Sequence, residues 1–402
     1  MDYYYPNTIF ITLFILQANI LFSLIYFLIY SIKSIKDVPK LAHLKNSHII
    51  HFPMVSIILP SRNEEKYIEK CLNSLLEQDY SNYEIIAIND SSSDKTGEVI
   101  KRYSSIHHKI IYIDSKPKPE GWTGKNWACY QGYLKSKGEL FLFTDADTSH
   151  STPAISLAVD YLMSEQLDTL TAIPKILAYD FWTKITLPIL WTFSVARFSA
   201  LKANNPKTKV GYFFGSFFII TRKAYETVGT HKSVKEEIVE DAELGRRVKE
   251  QGFRLRVVHG EKYIKAVWAR DTPTLWHGLR RLLIPLYKKE KAKAIIMVIA
   301  TFVLLLLPLI ILPFSIIIAM DGKNVTKSLI ILLMSIISIS LLAINNVLQL
   351  KYTVFQNLWY ALAFPLAGSF VLVAFLSSII YSKQKDGIIW RGRRYSIREV
   401  KS

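Results

Sequence analysis

The sequence predicts an α/β fold with a doubly wound, mostly parallel sheet, joined to α-helices that cross a membrane. Short apolar runs alternate with amphipathic segments between residues 54 and 144, and polar or acidic residues follow several of these runs. Four long stretches elsewhere contain no Asp, Glu, Lys or Arg. Strands separated by helices favour parallel pairing with right-handed crossovers, which places ligand-binding residues where the strands end.

The apolar and amphipathic segments predict the individual elements of the sheet and its covering helices. We expect strands at Met54–Pro60, Glu84–Asn89, Lys109–Asp114 and Glu139–Thr144. We expect helices at Glu64–Gln78, Asp94–Tyr103 and Lys125–Lys137.

The uncharged stretches Ile9–Tyr30, Ala294–Met320, Ser328–Leu350 and Tyr352–Ser382 are each long enough for a transmembrane helix, which needs about 20 residues. The first lacks a preceding basic segment and an obvious cleavage site, so it predicts an anchor rather than a signal peptide. The predicted organisation is an anchor (1–35), a cytoplasmic catalytic domain (36–293), transmembrane helices (294–382) and a basic tail (383–402).

The charge distribution predicts a multi-pass protein of the cell membrane. Lys and Arg number 50 against 33 acidic residues, a net charge of +17, and basic clusters flank the uncharged stretches. The positive-inside tendency then places the polar domain and the tail in the cytoplasm. Three full crossings after that domain would leave the tail outside, so we expect a re-entrant or interfacial stretch near Pro308, Pro313 or Pro365. No nucleic-acid motif accompanies the basic residues, and we expect no nucleic acid partner.

The most informative motif is Asp145-Ala146-Asp147, which follows the fourth predicted strand, with Glu240-Asp241 downstream. Two carboxylates at a strand end suit a divalent cation and a diphosphate, as in a nucleotide-sugar site. Asp90 follows the second strand, where a nucleotide contact is favoured over helix capping. For Asp94 capping is favoured.

The loop that contains Trp122 leads through Gly124 to Lys125 at a predicted helix start. Lysines and helix N-termini attract phosphate, although a turn with an ordinary surface lysine is an equal alternative. The aromatic run Gly211–Phe218 either lines an acceptor opening or belongs to the core. Ile185–Ala196 is too short to span, which suits a helix at the membrane interface. Cys71 and Cys129 are expected to be packing residues.

Five motifs occur in the order seen in family 2 glycosyltransferases with the GT-A fold, and the resemblance covers roughly residues 54–290. They are Val55–Glu64, Asn89–Asp94, Gly121–Lys125, Asp145–Asp147 and Glu240–Asp241. The Gly-Trp-Thr-Gly-Lys loop, with Trp390–Tyr395 near the C-terminus, resembles the membrane-bound branch associated with ceramide, hopanoid and carotenoid glycosylation.

The resemblance implies roles for individual residues. Asp90 would bind the nucleobase, Asp145 the ribose or metal region, and Asp147 the divalent cation, Mg²⁺ or Mn²⁺. Asp241 would be the catalytic base of an inverting displacement. The remaining predicted substrate-binding residues are Arg62, Glu64, Trp122, Lys125, Glu240 and Arg281.

The sequence therefore predicts a hexosyltransferase that moves one sugar from a UDP- or GDP-linked donor to a lipid-borne acceptor. Trp276–Arg281 replaces the Gln-x-x-Arg-Trp of processive synthases, which puts polymer synthesis in doubt. The alternatives are a polyprenyl-phosphate glycosyltransferase, a processive polysaccharide synthase and, outside enzymology, a nucleotide-sensing lipid transporter. The sugar, the nucleotide and the lipid stay open.

Overall fold

The computed structural model forms two compact units. Residues 36–177 and 198–268 make an α/β unit, and residues 1–35, 178–197 and 269–402 make a helical unit. The residues described are 4–42, 52–197, 199–320, 325–382, 388–390 and 393–395. The predicted basic tail, 383–402, lies outside this description except for residues 388–390 and 393–395.

The elements are numbered in chain order. The strands are β1 (Val55–Ser61), β2 (Tyr83–Asn89), β3 (Ile110–Asp114), β4 (Leu140–Phe143), β5 (Thr148–His150), β6 (Thr169–Ile173), β7 (Lys175–Ile176), β8 (Phe218–Thr221), β9 (Leu255–His259), β10 (Ile264–Ala266), β11 (Ile388–Trp390) and β12 (Arg393–Tyr395). The helices are α1 (Tyr4–Asp37), α2 (Ile68–Leu76), α3 (Thr96–Ile106), α4 (Gly124–Lys135), α5 (Ala154–Ser164), α6 (Phe181–Arg197), α7 (Ala200–Asn204), α8 (Arg222–Thr227), α9 (Glu240–Glu250), α10 (Thr272–Lys289), α11 (Lys291–Leu305), α12 (Leu307–Met320), α13 (Val325–Gln349) and α14 (Phe364–Ser382).

The main sheet has the strand order β3-β2-β1-β4-β8-β6-β9. Strands β3, β2, β1 and β4 pair in parallel, and β6 pairs in parallel with β9. Strand β8 lies antiparallel to both of its neighbours. The four predicted strands and three predicted helices are present with shifted ends, which confirms the α/β fold with a mostly parallel sheet.

The central strands are apolar on both faces because helices cover both sides of the sheet. Strand β4 is wholly buried, as is all of β1 except Pro60. Strands of this kind read as continuous apolar runs rather than alternating ones. A second, three-stranded sheet has the order β5-β10-β7 and begins one residue after Asp147.

The helical unit contains three helices long and apolar enough to cross a membrane, counting described residues only: Thr8–Asp37, Val325–Val354 and Leu358–Ser382. The predicted stretch Ala294–Met320 is not one straight helix, because α11 and α12 meet at a bend of 43°. Pro308 lies in the first turn of α12, where proline is tolerated. If α11 and α12 formed one straight helix, Pro308 would lie in its interior, and its ring would clash with the preceding turn. These long apolar helices suggest membrane association, and the number and direction of crossings stay predictions.

The segment predicted to lie at the membrane interface forms α6, which has 17 residues. Ile185 and Ile189 of this helix are buried in an apolar cluster with Ile20, Leu24 and other residues of the helical unit. Trp182 also stacks on Phe370 of α14, with 4.9 Å between the ring centroids. Much of the apolar surface of α6 is therefore covered by other helices.

Candidate active site

The ends of β1 and β2 are tied together by their loops. The Nη1 atom of Arg62 donates to the carbonyl oxygens of Asp90 and Ser91, at 2.6 Å each. The backbone N–H of Asp90 donates to the carbonyl of Ser61 at 2.8 Å. Asp90 is 4% exposed, so its carboxylate is held in a buried position at the carboxyl edge of the sheet.

The loop after β1 also contacts the start of α3. The backbone N–H of Glu64 donates to Thr96 Oγ1 at 2.7 Å, and Glu64 is buried. Asp94 accepts hydrogen bonds from the backbone N–H groups of Thr96 and Glu65. These bonds lower the pKa of Asp94 although burial opposes them, and they support its predicted capping role.

Lys125, at the start of α4, joins two acidic motifs that are far apart in the chain. Its Nζ atom lies 2.7 Å from Asp145 Oδ1 and 2.8 Å from Glu240 Oε1. Burial acts to lower the pKa of Lys125, but attraction to the two carboxylates outweighs it and raises the pKa well above its ordinary value. The ammonium is therefore charged throughout the physiological pH range.

Asp241 is part-buried and held by backbone donors on both oxygens. The N–H of Gly215 donates to Oδ2 at 2.9 Å, and the N–H of Ala242 donates to Oδ1 at 2.8 Å. Burial, and then repulsion from Glu240, raise the pKa of Asp241 to about 6, with Lys125 acting in the opposite direction. A carboxylate of this kind is a stronger base than an exposed one.

We refer to Lys125, Asp145, Glu240 and Asp241 as the catalytic cluster. Gly215 lies against three of its members. A Cβ atom at this glycine would lie 2.9 Å from Asp241 Oδ2, 3.1 Å from Lys125 Nζ and 3.3 Å from Asp145 Oδ2. A side chain at this position would therefore displace these charged groups, a constraint that the sequence alone does not reveal.

Asn126, which the sequence analysis did not select, positions the segment before Glu240. It is fully buried, and its Nδ2 donates to the carbonyls of Val234 at 2.7 Å and Glu237 at 3.0 Å. The backbone N–H of Thr123 donates to Lys235 O at 2.7 Å. Sequence spacing carries no signal for this contact, because the partners are more than 100 residues apart and their acceptors are backbone atoms.

A second missed feature is the packing of α9 directly on the backbone that precedes Gly215. A Cβ atom at Gly245 would lie 2.4 Å from both the Cα and the carbonyl carbon of Tyr212. Gly211 is equally close to α9, since its Cβ would lie 2.3 Å from Gly245 O. These two glycines let α9 approach closely enough for Asp241 to accept the Gly215 hydrogen bond.

The remaining predicted residues lie in different surroundings. Trp122 packs on α4, with its ring centroid 5.1 Å from that of Trp127. Asp147 is part-exposed, and its carbonyl accepts from the N–H of Val267 at 3.3 Å. Arg281 belongs to α10 in the helical unit. The structure therefore assembles the catalytic cluster and the braced pair of loops that holds Arg62, Glu64 and Asp90.

The aromatic run before α9 belongs mostly to the core. Tyr212, Phe213, Phe217 and Phe218 are each at most 3% exposed. The rings of Phe213 and Phe218 stack at 4.5 Å. Of the two readings left open by the sequence, packing accounts for these four residues. Cys71 and Cys129 are likewise buried and free, as expected for packing residues.

The donor set suits a divalent cation that shares its coordination with substrate. Within the described residues, no group of three or more His, Cys, Asp or Glu side chains is placed to hold a metal ion. Asp145 and Asp147 offer two carboxylates at the end of β4. Mg²⁺ typically takes one or two carboxylates and completes its shell with phosphate oxygens and water, so these residues fit such an ion.

Comparison with known proteins agrees with the geometry. Residues 56–229 match the model of glycosyl transferase family 2. Residues 56–229 are therefore similar to a family 2 glycosyltransferase domain. A probable glycosyltransferase, YdaM of Bacillus subtilis, is 28% identical over 214 residues, which is 51% of this chain and 48% of the relative. The 4,4'-diaponeurosporenoate glycosyltransferase of Staphylococcus aureus is 26% identical over 213 residues, 52% of this chain and 55% of the relative.

The solved mannosyltransferase PcManGT from Pyrobaculum calidifontis, in complex with GDP-Man and Mn²⁺, is similar with a TM-score of 0.55. It is 17% identical, and the similarity covers 92% of this chain and 99% of that one. At this identity the similarity shows the fold, and the glycosyltransferase domain has the GT-A fold. The chain spans about half the length, or less, of the curated relatives it matches.

The family match ends before the acidic pair at the start of α9. Arg62, Asp90, Lys125 and Asp145 lie within the matched residues, whereas Glu240 and Asp241 lie beyond them. The inclusion of that pair in the candidate site of the glycosyltransferase domain therefore depends on its contacts with Lys125 and Gly215.

Proposed function

We propose that this protein is a membrane-bound, inverting glycosyltransferase that moves a single sugar from a UDP- or GDP-linked donor to a lipid-borne acceptor. The observation that carries the proposal is the catalytic cluster, in which Lys125 joins the loop after β4 to the start of α9. The cluster groups three carboxylates around one ammonium, which would suit a base beside a diphosphate site.

On the donor side, the buried carboxylate of Asp90 would accept from the nucleobase, and Arg62 and Glu64 brace its loop. Lys125 has the charge needed to attract the diphosphate, and Trp122 lies in the same loop. Asp145 and Asp147 would hold Mg²⁺ or Mn²⁺, which when bound neutralises charge on the leaving nucleoside diphosphate.

Asp241 would act as the base. Its carboxylate takes the proton of the acceptor hydroxyl while the hydroxyl oxygen forms a bond to the anomeric carbon. The bond from that carbon to the diphosphate oxygen breaks, and the nucleoside diphosphate leaves with the electron pair. A pKa of about 6 suits this role because the group is ionised at neutral pH and remains basic.

A lipid-borne acceptor is supported by the long apolar helices in the same chain. It is also supported by similarity to an enzyme named for 4,4'-diaponeurosporenoate, although the chain covers only 55% of that relative. With the catalytic domain on the cytoplasmic side, as the basic clusters predict, the donor would come from the cytosol. Arg281, which belongs to α10, stays a proposed substrate-binding residue.

The test is sugar transfer by the detergent-solubilised full chain, with a panel of labelled UDP- and GDP-sugars, Mn²⁺ and a total lipid extract. We expect label in the organic phase, and a loss of about 10²–10⁴-fold in Asp241→Asn, the range associated with removing a general base. The matched control is Asp79→Asn, an exposed carboxylate after α2, which should retain full activity.

The other possible outcomes distinguish the proposed function from its alternatives. Transfer that persists in Asp241→Asn would indicate an acceptor that is already ionised, such as a phosphate, and would remove the base from the mechanism. Donor binding without transfer to any lipid fraction would contradict the proposed lipid acceptor. Label in a growing polymer would instead identify a processive synthase.

A further inference from the structure

Helices α1 and α13 of the helical unit run side by side in the same direction. Gln17 Nε2 donates to Ser335 Oγ at 2.8 Å, and Gln349 Nε2 donates to Ser31 Oγ at 3.3 Å. Both pairs are separated by 318 residues in the chain, so the two helices keep one register over four helical turns. Leu24 and Leu342 occupy the equivalent layer between them and share one apolar cluster.

Near the C-terminal end of this pairing, several buried polar atoms have no hydrogen-bond partner among the residues that the structure describes. Both the Oδ1 and the Nδ2 of Asn345 lack one, as does the Nδ2 of Asn346, and each of these residues is 2% exposed. The hydroxyls of Tyr30 on α1 and Thr186 on α6 also lack one. We refer to these four residues as the helical-unit cluster.

The helix register brings these residues close together. Asn345 lies one helical turn before Gln349, whose partner Ser31 directly follows Tyr30. Thr186 follows Ile185, which packs in the apolar cluster that contains Leu342. In this register Tyr30 lies level with Leu348, within one helical turn of Asn345 and Asn346 along the axis. Helix α6 meets α1 and α13 in the apolar cluster that contains Leu24 and Leu342.

The helical-unit cluster has a definite chemical character. The buried polar side chains that the structure describes in this unit are all uncharged Ser, Thr, Asn and Gln residues. The cluster offers both donors and acceptors, which matches a hydroxyl or amide group rather than an ion. A buried ion would require a countercharge, and buried polar atoms in apolar surroundings are costly unless a hydrogen-bonding group satisfies them.

We propose that the helical-unit cluster is a binding site for the uncharged, hydroxyl- or amide-bearing head of a membrane amphiphile. The polar head would pair with Asn345, Asn346 and Thr186, and its apolar chain would lie along the exposed apolar side chains of α1 and α13, such as Phe22 and Ile344. The unpartnered atoms are closed off from solvent, so a side chain must rotate before the head group can bind. We assign this rotation to Tyr30, which is partly exposed. This site is independent of the proposed sugar transfer.

The experiment uses the detergent-solubilised full chain and a single-chain glycerol ether with a photoreactive diazirine in its alkyl chain. We expect crosslinks in α1 and α13 that unlabelled glycerol ether removes by competition. A probe with the same chain and a trimethylammonium head should label these helices at least about tenfold less. Two lost hydrogen bonds correspond to roughly tenfold or more in affinity, so Asn345→Leu/Asn346→Leu should weaken competition by at least about tenfold.

The matched control is Asn19→Leu, the same substitution on an exposed position of α1, which should leave the crosslinking unchanged. Tyr30→Phe removes a single hydroxyl and serves as a milder variant if the double variant does not fold. Equal crosslinking of wild type and the folded variants, or equal labelling by the charged probe, would overturn the proposal. A rise in melting temperature of the double variant with no change in competition would show a cluster that holds only water or nothing.

Discussion

The catalytic cluster and the helical-unit cluster differ in whether their polar groups have partners within the protein. In the first, Lys125 is charged and joins Asp145 to Glu240, and backbone N–H groups hold both oxygens of Asp241. In the second, uncharged atoms of Asn345 and Asn346 lie buried without a partner in the described part of the chain. The first cluster is complete within the protein, whereas the second requires a group from outside.

This difference shows how each region can bind a ligand. Charged groups at the sheet edge must be paired before substrate arrives, because an unpaired buried charge costs several kcal/mol. Neutral amides and hydroxyls cost about 1–3 kcal/mol each when unsatisfied, which a folded protein can tolerate. The catalytic cluster is therefore preorganised, whereas the helical-unit cluster can stay unsatisfied until its ligand binds.

The most direct way to break this contrast is to remove the charge that completes the catalytic cluster. Lys125→Met keeps the approximate side-chain length but leaves the carboxylates of Asp145 and Glu240 unpaired. We expect transfer to fall by about 10²–10³-fold, comparable to loss of one preorganised electrostatic contact, together with a lower melting temperature. Initial rates at saturating donor and thermal unfolding measure the two effects.

The control for that substitution is Lys101→Met, on the exposed face of α3. A Lys125→Met protein with wild-type rate and stability would show that the ion pairs contribute nothing, and the contrast between the two clusters would fail.

A second prediction tests whether the geometry of α9 matters as much as its charges. Gly245→Ala places a methyl group against the backbone of Tyr212, so α9 must move away and carry Asp241 from Gly215. We expect about 1–3 kcal/mol of lost stability and roughly a 10²-fold lower rate. Chemical denaturation and transfer assays measure both.

Glu250→Ala, on the exposed face of the same helix, provides the comparison and should stay within about 0.5 kcal/mol of wild type. If Gly245→Ala keeps full activity, close packing of α9 is not what positions the base.

A third prediction removes a buried side-chain donor from two backbone carbonyls of the α/β unit. Asn126→Ala removes the donor to the carbonyls of Val234 and Glu237. We expect a loss of about 1–3 kcal/mol in unfolding free energy. We also expect a lower kcat with little change in donor affinity, since Asn126 acts by positioning the segment before Glu240.

Asn73→Ala, at an exposed position of α2, is the control. It loses one exposed hydrogen bond from Tyr103, so we expect at most about 1 kcal/mol of lost stability and an unchanged kcat. A change in donor affinity without a change in kcat would contradict the positioning role.

The smallest expected effect is a pH dependence of stability, which the catalytic cluster should show and the helical-unit cluster should not. The folded-state pKa of Asp241, about 6, is above its ordinary value of 3.8, so the fold favours the protonated form. Wild type should therefore lose stability relative to Asp241→Asn as pH rises from about 4 to about 6. Melting temperatures recorded without donor or metal measure this difference, and the rate of wild-type transfer should rise over the same range.

The pH experiment has an internal control in the helical unit. Any stability difference between wild type and Asn345→Leu/Asn346→Leu should not vary with pH, because neither residue titrates. A constant difference between wild type and Asp241→Asn across pH 4–7 would show that Asp241 keeps an ordinary pKa.

The sequence was sufficient for features that depend on local pattern. Apolar runs bounded by polar residues placed β1 to β4 and α2 to α4 within a few residues, because buried strands and amphipathic helices have distinct periods. The Asp145 and Asp147 motif could be located because the carboxyl ends of parallel strands share one edge. Uncharged stretches also indicated the long apolar helices. The bend between α11 and α12 lies beside Pro308, one of the three prolines near which a re-entrant or interfacial stretch was expected.

Other features depended on contacts between distant segments. Strand β8 enters the sheet antiparallel between β4 and β6, and this order brings the backbone at Gly215 beside Asp145 and Asp241. The link from Lys125 to Glu240, the contact of Asn126 with backbone carbonyls and the close approach at Gly245 all arise from that packing. The sequence by itself determined which chemical groups the domain carries and which strands they follow, because these depend on local propensity and spacing. Only the tertiary structure decided which groups meet, because distances between remote segments depend on strand order and helix packing.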